Sequence, residues 1–158
     1  MAETVQLAEY FYVQVPDRPG EGARLLAHLK EAGVNLLAFS GFPQGRKAQI
    51  DFVAEDPRAF KAAARKAKWQ LSPGKKVFLI QGEDRPGAAA DLVSKLAEAK
   101  ISVIASQAIS AGAGRFGMIL WVAPGEVRKA ARVLGAAAAP ARAGAGEPAA
   151  AGNDSPSI

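Results

Sequence analysis

The sequence predicts an α+β fold in which one small unit is used twice. Three observations carry that reading. The stretch Val15-Pro16-Asp17-Arg18-Pro19-Gly20 returns as Gly82-Glu83-Asp84-Arg85-Pro86-Gly87, with Asp17 and Asp84 67 positions apart. Each copy follows a short apolar run, residues 10–15 and 77–81, and precedes an Ala- and Leu-rich stretch. Apolar positions then keep the same offset: Ala23 with Ala90, Leu26 with Val93, Leu29 with Leu96, Val34 with Ile101 and Leu36 with Val103. Matched punctuation at a fixed period marks a duplicated unit.

In the first copy, residues 11–15 read as a strand. Pro16 and Pro19 fix a turn, because proline restricts both its own φ and the residue before it. A helix is expected from Pro19, at the first-turn position where a missing N–H is harmless. Leu25, Leu26, Leu29 and Ala32 form its apolar stripe, and Gly33 suits a left-handed C-terminal cap with Val34 packing back. Residues 36–42 and 48–54 read as strands joined through Pro43-Gln44-Gly45, a hairpin connection. Asp56-Pro57 supplies an N-cap and a first-turn proline for a second helix carrying Phe60, Ala63, Ala64 and Ala67 inward. Residues 69–71 are expected as a short last strand.

The second copy repeats this order: strand 77–81, helix 86–99, strand 101–109, a Gly-rich turn 110–115, strand 116–122 and helix 125–134. Ile50 is aligned with Ile119 and Phe52 with Trp121 across two inserted residues near Ala113. Phe60 and Arg65 return to the original offset against Val127 and Arg132. The order β-α-β-β-α-β is that of ferredoxin-like units, in which two helices cover one face of an antiparallel sheet. A final strand is expected only in the first copy, which leaves an open edge in the second. The expected organisation is one unit over residues 8–72, a second over 75–135, and an Ala/Pro/Gly-rich tail over 136–158 too poor in large apolar residues to order.

Composition excludes several chemistries. There is no Cys, hence no disulfide framework or thiolate site, in keeping with a cytoplasmic protein. The first nine residues carry two acids and no basic cluster, unlike a signal peptide. No apolar run reaches membrane-spanning length. The net charge of +5 owes much to Lys61, Arg65, Lys66, Lys68, Lys75 and Lys76, a solvated helix face and a basic connection. His28 is the sole histidine, sits mid-helix beside Leu29, and reads as structural. Asp51 falls mid-strand and Asp56 is explained as a cap. No phosphate-binding loop, dinucleotide fingerprint or zinc spacing occurs. No enzymatic activity, metal or cofactor is expected.

The Asp-Arg-Pro-Gly turns have chemistry of their own. Each delivers the chain from a strand into a helix start, where N–H groups lack intrahelical partners and the dipole adds partial positive charge. Gly20 and Gly87 let a ligand approach closely, a carboxylate suits such a terminus, and Asp17 and Asp84 can accept from an ammonium group. That combination matches a free amino acid. Equally, each Asp can simply organise its turn.

These residues resemble a tandem pair of ACT domains, small amino-acid-sensing modules. The likeness rests on Asp17-Arg18-Pro19-Gly20, Glu31-Ala32-Gly33 and Val34-Asn35-Leu36, with Asp84-Arg85-Pro86-Gly87, Glu98-Ala99-Lys100 and Ile101-Ser102-Val103 as counterparts. It spans about residues 10–135. The resemblance implies βαββαβ units paired side by side, with an effector held between the loop before the first helix of one unit and the start of the second strand of its neighbour. Asp17, Pro19 and Gly20 would form one loop and Asp84, Pro86 and Gly87 the other. Asn35 and Leu36 would face the second loop, and Ser102 and Val103 the first. Ser102 is shorter than Asn35, so the two places should differ, with the Asn35 one favoured. The implied partners are an amino-acid effector, a second copy of the chain and a separate enzyme or regulator. Two rival classes remain: a ligand-free dimerisation module, and a single-stranded RNA binder. The latter rests on the resemblance of Arg115-Phe116-Gly117-Met118-Ile119-Leu120-Trp121 to an RNA-recognition strand, with only Phe78 as a second platform.

Overall fold

The computed structural model describes residues 3–138. The expected tail beyond Ala138 lies outside the described residues. In chain order the elements are β1 (Thr4–Pro16), α1 (Glu21–Glu31), β2 (Leu36–Gln44), β3 (Lys47–Ala54), α2 (Pro57–Lys66), β4 (Lys75–Glu83), α3 (Ala88–Glu98), β5 (Val103–Gly112), β6 (Arg115–Val122), α4 (Val127–Leu134) and β7 (Ala137–Ala138), with a 3₁₀ turn at Pro124–Glu126 before α4. The sheet runs β2-β3-β1-β4-β6-β5, with β7 beside β1. The architecture is α+β: two ferredoxin-like units joined side by side in one curled antiparallel sheet.

The join is made by β1, which at 13 residues is more than twice as long as its expected 11–15 core. Residues Phe11 to Pro16 pair antiparallel with β3. Thr4 to Tyr10 pair antiparallel with β4. The open edge expected in the second unit is therefore closed by Thr4 to Tyr10 of β1. Alternation at Val5, Leu7 and Phe11 drives this, because it puts apolar side chains on one face. Ala137 and Ala138 add a short parallel pair against Gln6 and Leu7. Residues 69–71 do not form the regular strand expected of them. Ser72 N–H still donates to the Tyr12 carbonyl at 3.0 Å and Tyr12 N–H to Ser72 Oγ at 2.9 Å. Pro73 and Gly74 follow, and proline cannot donate to a ladder.

Each unit has its own core on the helix side of the sheet. In the first, Phe11, Val13, Leu25, Leu29, Phe52 and Phe60 pack together. In the second, Val5, Phe78, Ile80, Leu92, Leu96 and Leu120 do so with α4's Ala130 and Leu134. Burying side chains of this size contributes about 1.5–3 kcal/mol each. The opposite face carries a third cluster drawn from strands alone, with Ala8, Val53, Val77 and Ile119 buried and Tyr10 and Trp121 against them.

The register corrects the alignment of the third strands. Phe11 faces Phe52 and Phe78 faces Leu120, so Phe52 corresponds to Leu120 and Ile50 to Met118, not to Trp121 and Ile119. The second unit gains one residue in this hairpin, at an irregularity between Ser110 and Gly112. A one-residue slip moves a strand residue to the other face, which puts Ile119 and Trp121 in the strand-only cluster. The helix exits follow expectation. Gly33 has φ 69° and Val34 N–H donates to the Leu29 carbonyl at 2.9 Å. In the second unit Lys100 takes the same left-handed turn at φ 59° and Ile101 N–H reaches the Leu96 carbonyl at 2.9 Å. Ile101 thus closes the helix, and β5 begins only at Val103.

Candidate functional site

The two Asp-Arg-Pro-Gly bends stand at equivalent places, each between a strand end and a helix start. Gly20 and Gly87 are the N-cap residues of α1 and α3, both left-handed (φ 92° and 86°), and neither helix start receives a side-chain cap. The start of α2 differs: Asp56 accepts from the N–H groups of Arg58 and Ala59. Space over Gly20 is open for 4 Å, and over Gly87 the nearest atom is Arg85 Nη1 at 3.9 Å. At α3 the Ala88 N–H donates to the Arg85 carbonyl at 3.2 Å; with no capping side chain at either start, the remaining first-turn N–H groups suit an anion.

Side chains around the bends are engaged mostly within their own halves, although Arg85 Nη2 also lies 3.8 Å from Glu3 Oε1, ahead of β1. Glu21, at the first helical position of α1, accepts from Arg18 Nε at 2.8 Å and from Arg24 Nη2 at 2.9 Å. Hydrogen bonds from Arg24 and then Arg18 hold its carboxyl below the usual range. In the second half, Ser110 Oγ donates to Asp84 Oδ2 at 2.6 Å and Arg85 pairs with Asp91 at 2.6 Å. Asn35 Nδ2 donates to Glu55 Oε2 at 3.2 Å. Asp17, Pro19, Gly20, Asn35, Asp84, Pro86, Gly87 and Ser102 are exposed, and Leu36 and Val103 half-buried. Among the described residues no hydrogen bond or ion pair links the first half's candidates with the second half's. His28 Nε2 lies 2.8 Å from the Ala63 carbonyl and its ring is 5.3 Å from that of Trp69, tying it to the α1–α2 packing. No group of three or more His, Cys, Asp or Glu suited to a metal occurs among the described residues.

Two cavities open on the strand-only face, the larger also reaching round to Val127 and Arg128 at the start of α4, and neither is lined by any of those ten residues. The larger, 830 Å³, is bounded by Ser40–Phe42 and Ile104–Gln107 together with Tyr10, Asp51, Lys75 and Trp121. The smaller, 470 Å³, is bounded by Leu37–Phe39 and Gln107–Ile109 with Gly117 and Ile119. They exist because the sheet curls until its two edges approach: Ser40 Oγ of β2 donates to Gln107 Oε1 of β5 at 3.3 Å. The repeat relates the two cavities. Ser40–Phe42 of one answer Gln107–Ile109 of the other, and Gln49 and Asp51 answer Gly117 and Ile119.

The larger cavity holds groups that the sequence reading passed over. Asp51 is only 5 % exposed. Gln49 Nε2 donates to its Oδ1 at 2.9 Å, and its Oδ2 accepts nothing among the described residues. Burial pushes its carboxyl up, with Gln49 and Lys75 opposing. Burial, with Asp51 and Tyr12 adding, also raises the Tyr10 hydroxyl. Trp121 meets Tyr10 edge-on at 6.2 Å between ring centres, and its buried indole N–H has no acceptor among the described residues. The signal for these residues was alternation: once the third-strand register is right, Asp51 and Trp121 fall on the face away from the helices. Phe78 and Phe116, the two rings weighed for base stacking, are both buried in the second core.

Two such units, sharing a sheet and opening their first helices at Pro-Gly bends, make a tandem ACT-like fold. Solved structures with the same arrangement include protein BT0572 from Bacteroides thetaiotaomicron, with a TM-score of 0.71 and 16 % identity over 83 % of this chain and 88 % of that one. The regulatory subunit of aspartate kinase from Thermus thermophilus superposes with a TM-score of 0.55 at 16 % identity, over 85 % of this chain and 93 % of its own. The corresponding subunit from Thermus flavus gives 0.52 at 17 %, over 85 % and 94 %. No family model and no curated protein matches the sequence. No helix among the described residues is long and apolar enough to cross a membrane.

Proposed function

We propose that this chain is a non-catalytic regulatory protein that holds a small effector, a free amino acid, at a seam between ACT-like units, within one chain or between two copies. In this reading residues 8–72 and 75–135 are the two units, and the output passes through a separate enzyme or regulator. The observation that carries it is the contrast between helix starts. Asp56 fills that of α2, whereas α1 and α3 begin at left-handed glycines without a capping side chain. Those ends suit a carboxylate, and two or three charge-assisted hydrogen bonds of about 1.5–3 kcal/mol each give micromolar-to-millimolar binding after entropic losses. Asp17 and Asp84 beside them suit an ammonium group. The aspartate kinase regulatory subunits share this fold and so support a regulatory role.

Thermal-shift measurement with each of the twenty amino acids tests the reading, because ligands of the native state raise its apparent stability. At least one should stabilise the chain, and Asn35→Ala should weaken it more than Ser102→Ala. No shift at tens of millimolar would leave the dimerisation-only reading. That second reading has its own observation: Phe39, Ile104 and Ile109 are 54 %, 63 % and 73 % exposed on the edge strands, an apolar surface of the kind that covers itself with a partner.

A further inference from the structure

We propose that the larger cavity on the strand-only face is itself a binding site for a free α-amino acid with a large apolar side chain. Asp51 would receive its ammonium group, and Lys75 with the Trp121 indole N–H its carboxylate. The ligand class is that of the proposed function, and the argument rests on it to that extent. The place is different, since none of the bend residues lines this cavity.

The duplication supplies the control. Asp51 and Gln49 are matched in the other half by Ile119 and Gly117, so the fold itself needs no carboxylate at this point. A buried carboxylate opposes folding unless it is paired, and this one accepts through Oδ1 from Gln49 and through Oδ2 from nothing among the described residues. Lys75 Nζ sits 5.3 Å from the centre of the Tyr12 ring and lines the same cavity, whose single acidic lining residue is Asp51; Lys76 also lines it but pairs with Glu9 at 3.8 Å. The charge pattern therefore asks for a ligand with one cationic and one anionic group. Trp121, which lines the cavity, adds a buried N–H donor without an acceptor among the described residues, a group that a ligand would satisfy. Tyr10, Trp121, Phe42 and Ile104 provide the apolar wall. A cavity of 830 Å³ is in the range of small-molecule sites, about 300–1,000 Å³.

The test is titration of the full chain with L-Phe, L-Trp, L-Leu and L-Ile, and with phenethylamine and 3-phenylpropionate as halves of the zwitterion. Binding is read by calorimetry and by the two indole N–H signals in a ¹⁵N spectrum. The expected result is saturable binding of at least one amino acid, movement of the Trp121 signal with Trp69 unmoved, and weaker binding of both half-ligands. Asp51→Asn and Trp121→Phe should each lower affinity about tenfold or more, and Lys95→Ala, on the exposed face of α3, should leave it unchanged. Asp51→Ile, which copies Ile119, tests the same loss without a polar side chain. Binding lost in Asn35→Ala but intact in Asp51→Asn and Trp121→Phe would overturn the cavity site and leave the bend site standing. No binding by any of the amino acids would overturn the cavity site, and a negative twenty-amino-acid screen would also remove the bend site.

Discussion

Ser40 and Gln107 touch across the curled sheet, hydroxyl to amide oxygen at 3.3 Å, and stand 67 positions apart, the same interval that separates Asp17 from Asp84. They are the same position in the two units. A contact between equivalent residues lies on the approximate two-fold axis of the duplication, and it occurs where two unpaired edge strands come closest. Both cavities are consequences of that approach, one on either side of it.

The contact itself is exposed and neutral, so it should contribute little. Gln107→Ala is expected to lower unfolding free energy by about 0.5–1.5 kcal/mol in a denaturant titration. A loss of 3 kcal/mol or more would show that the edges are held together by more than this pair.

The start of the chain should matter far more. Val5 is buried in the second core although it precedes the first unit's own strand. Val5→Asp places an unpaired charge there and is expected to cost about 3 kcal/mol or more. Near-ultraviolet circular dichroism and amide exchange should show the loss concentrated in β4, α3 and α4. An effect confined to the first unit would contradict the pairing of Thr4 to Tyr10 with β4.

Lys100 offers a stabilising change. It is exposed and left-handed at φ 59°, where the first unit has Gly33. Relief of the Cβ clash should make Lys100→Gly about 1 kcal/mol more stable, seen as a higher denaturant midpoint with unchanged slope. Destabilisation would mean that the side chain contributes more than its backbone strain removes.

Asp51 predicts a pH signature. Its folded carboxyl is raised mainly by burial. Below the ordinary carboxylate range it is protonated in folded and unfolded chains alike and affects nothing. As pH rises the unfolded chain releases its proton first, so this group destabilises the fold progressively and fully above its raised folded value. Asp51→Asn should therefore stabilise the protein at neutral pH, with the gain fading as pH falls through the carboxylate range. A variant equally stable to wild type at pH 7 would show the carboxylate to be fully compensated.

Much of the fold was legible because it is written locally. The helix of residues 21–31 follows from its apolar spacing and from Gly33, and the second helix from Asp56-Pro57, interactions that close within a few residues. The bends were legible too, as Pro and Gly set backbone geometry regardless of surroundings. The strand from residue 4 was missed, since Val5 and Leu7 alternate but fall before the repeat begins. Asp51 was set aside as a mid-strand residue, and a one-residue error in the second hairpin put Trp121 on the wrong face.

The sequence by itself determined the duplicated unit, its helices and turns, and the Pro-Gly bends that lead into the first helix of each copy. Only the tertiary structure decided that the N-terminal residues complete the second unit, that the sheet curls until Ser40 meets Gln107, and that Asp51 and Trp121 share a cavity. Local signals act over one or two turns of chain. Strand exchange and curvature depend on pairings between residues some seventy positions apart, as Leu7 with Phe78 shows, and no periodicity in a single segment records which partner it will meet.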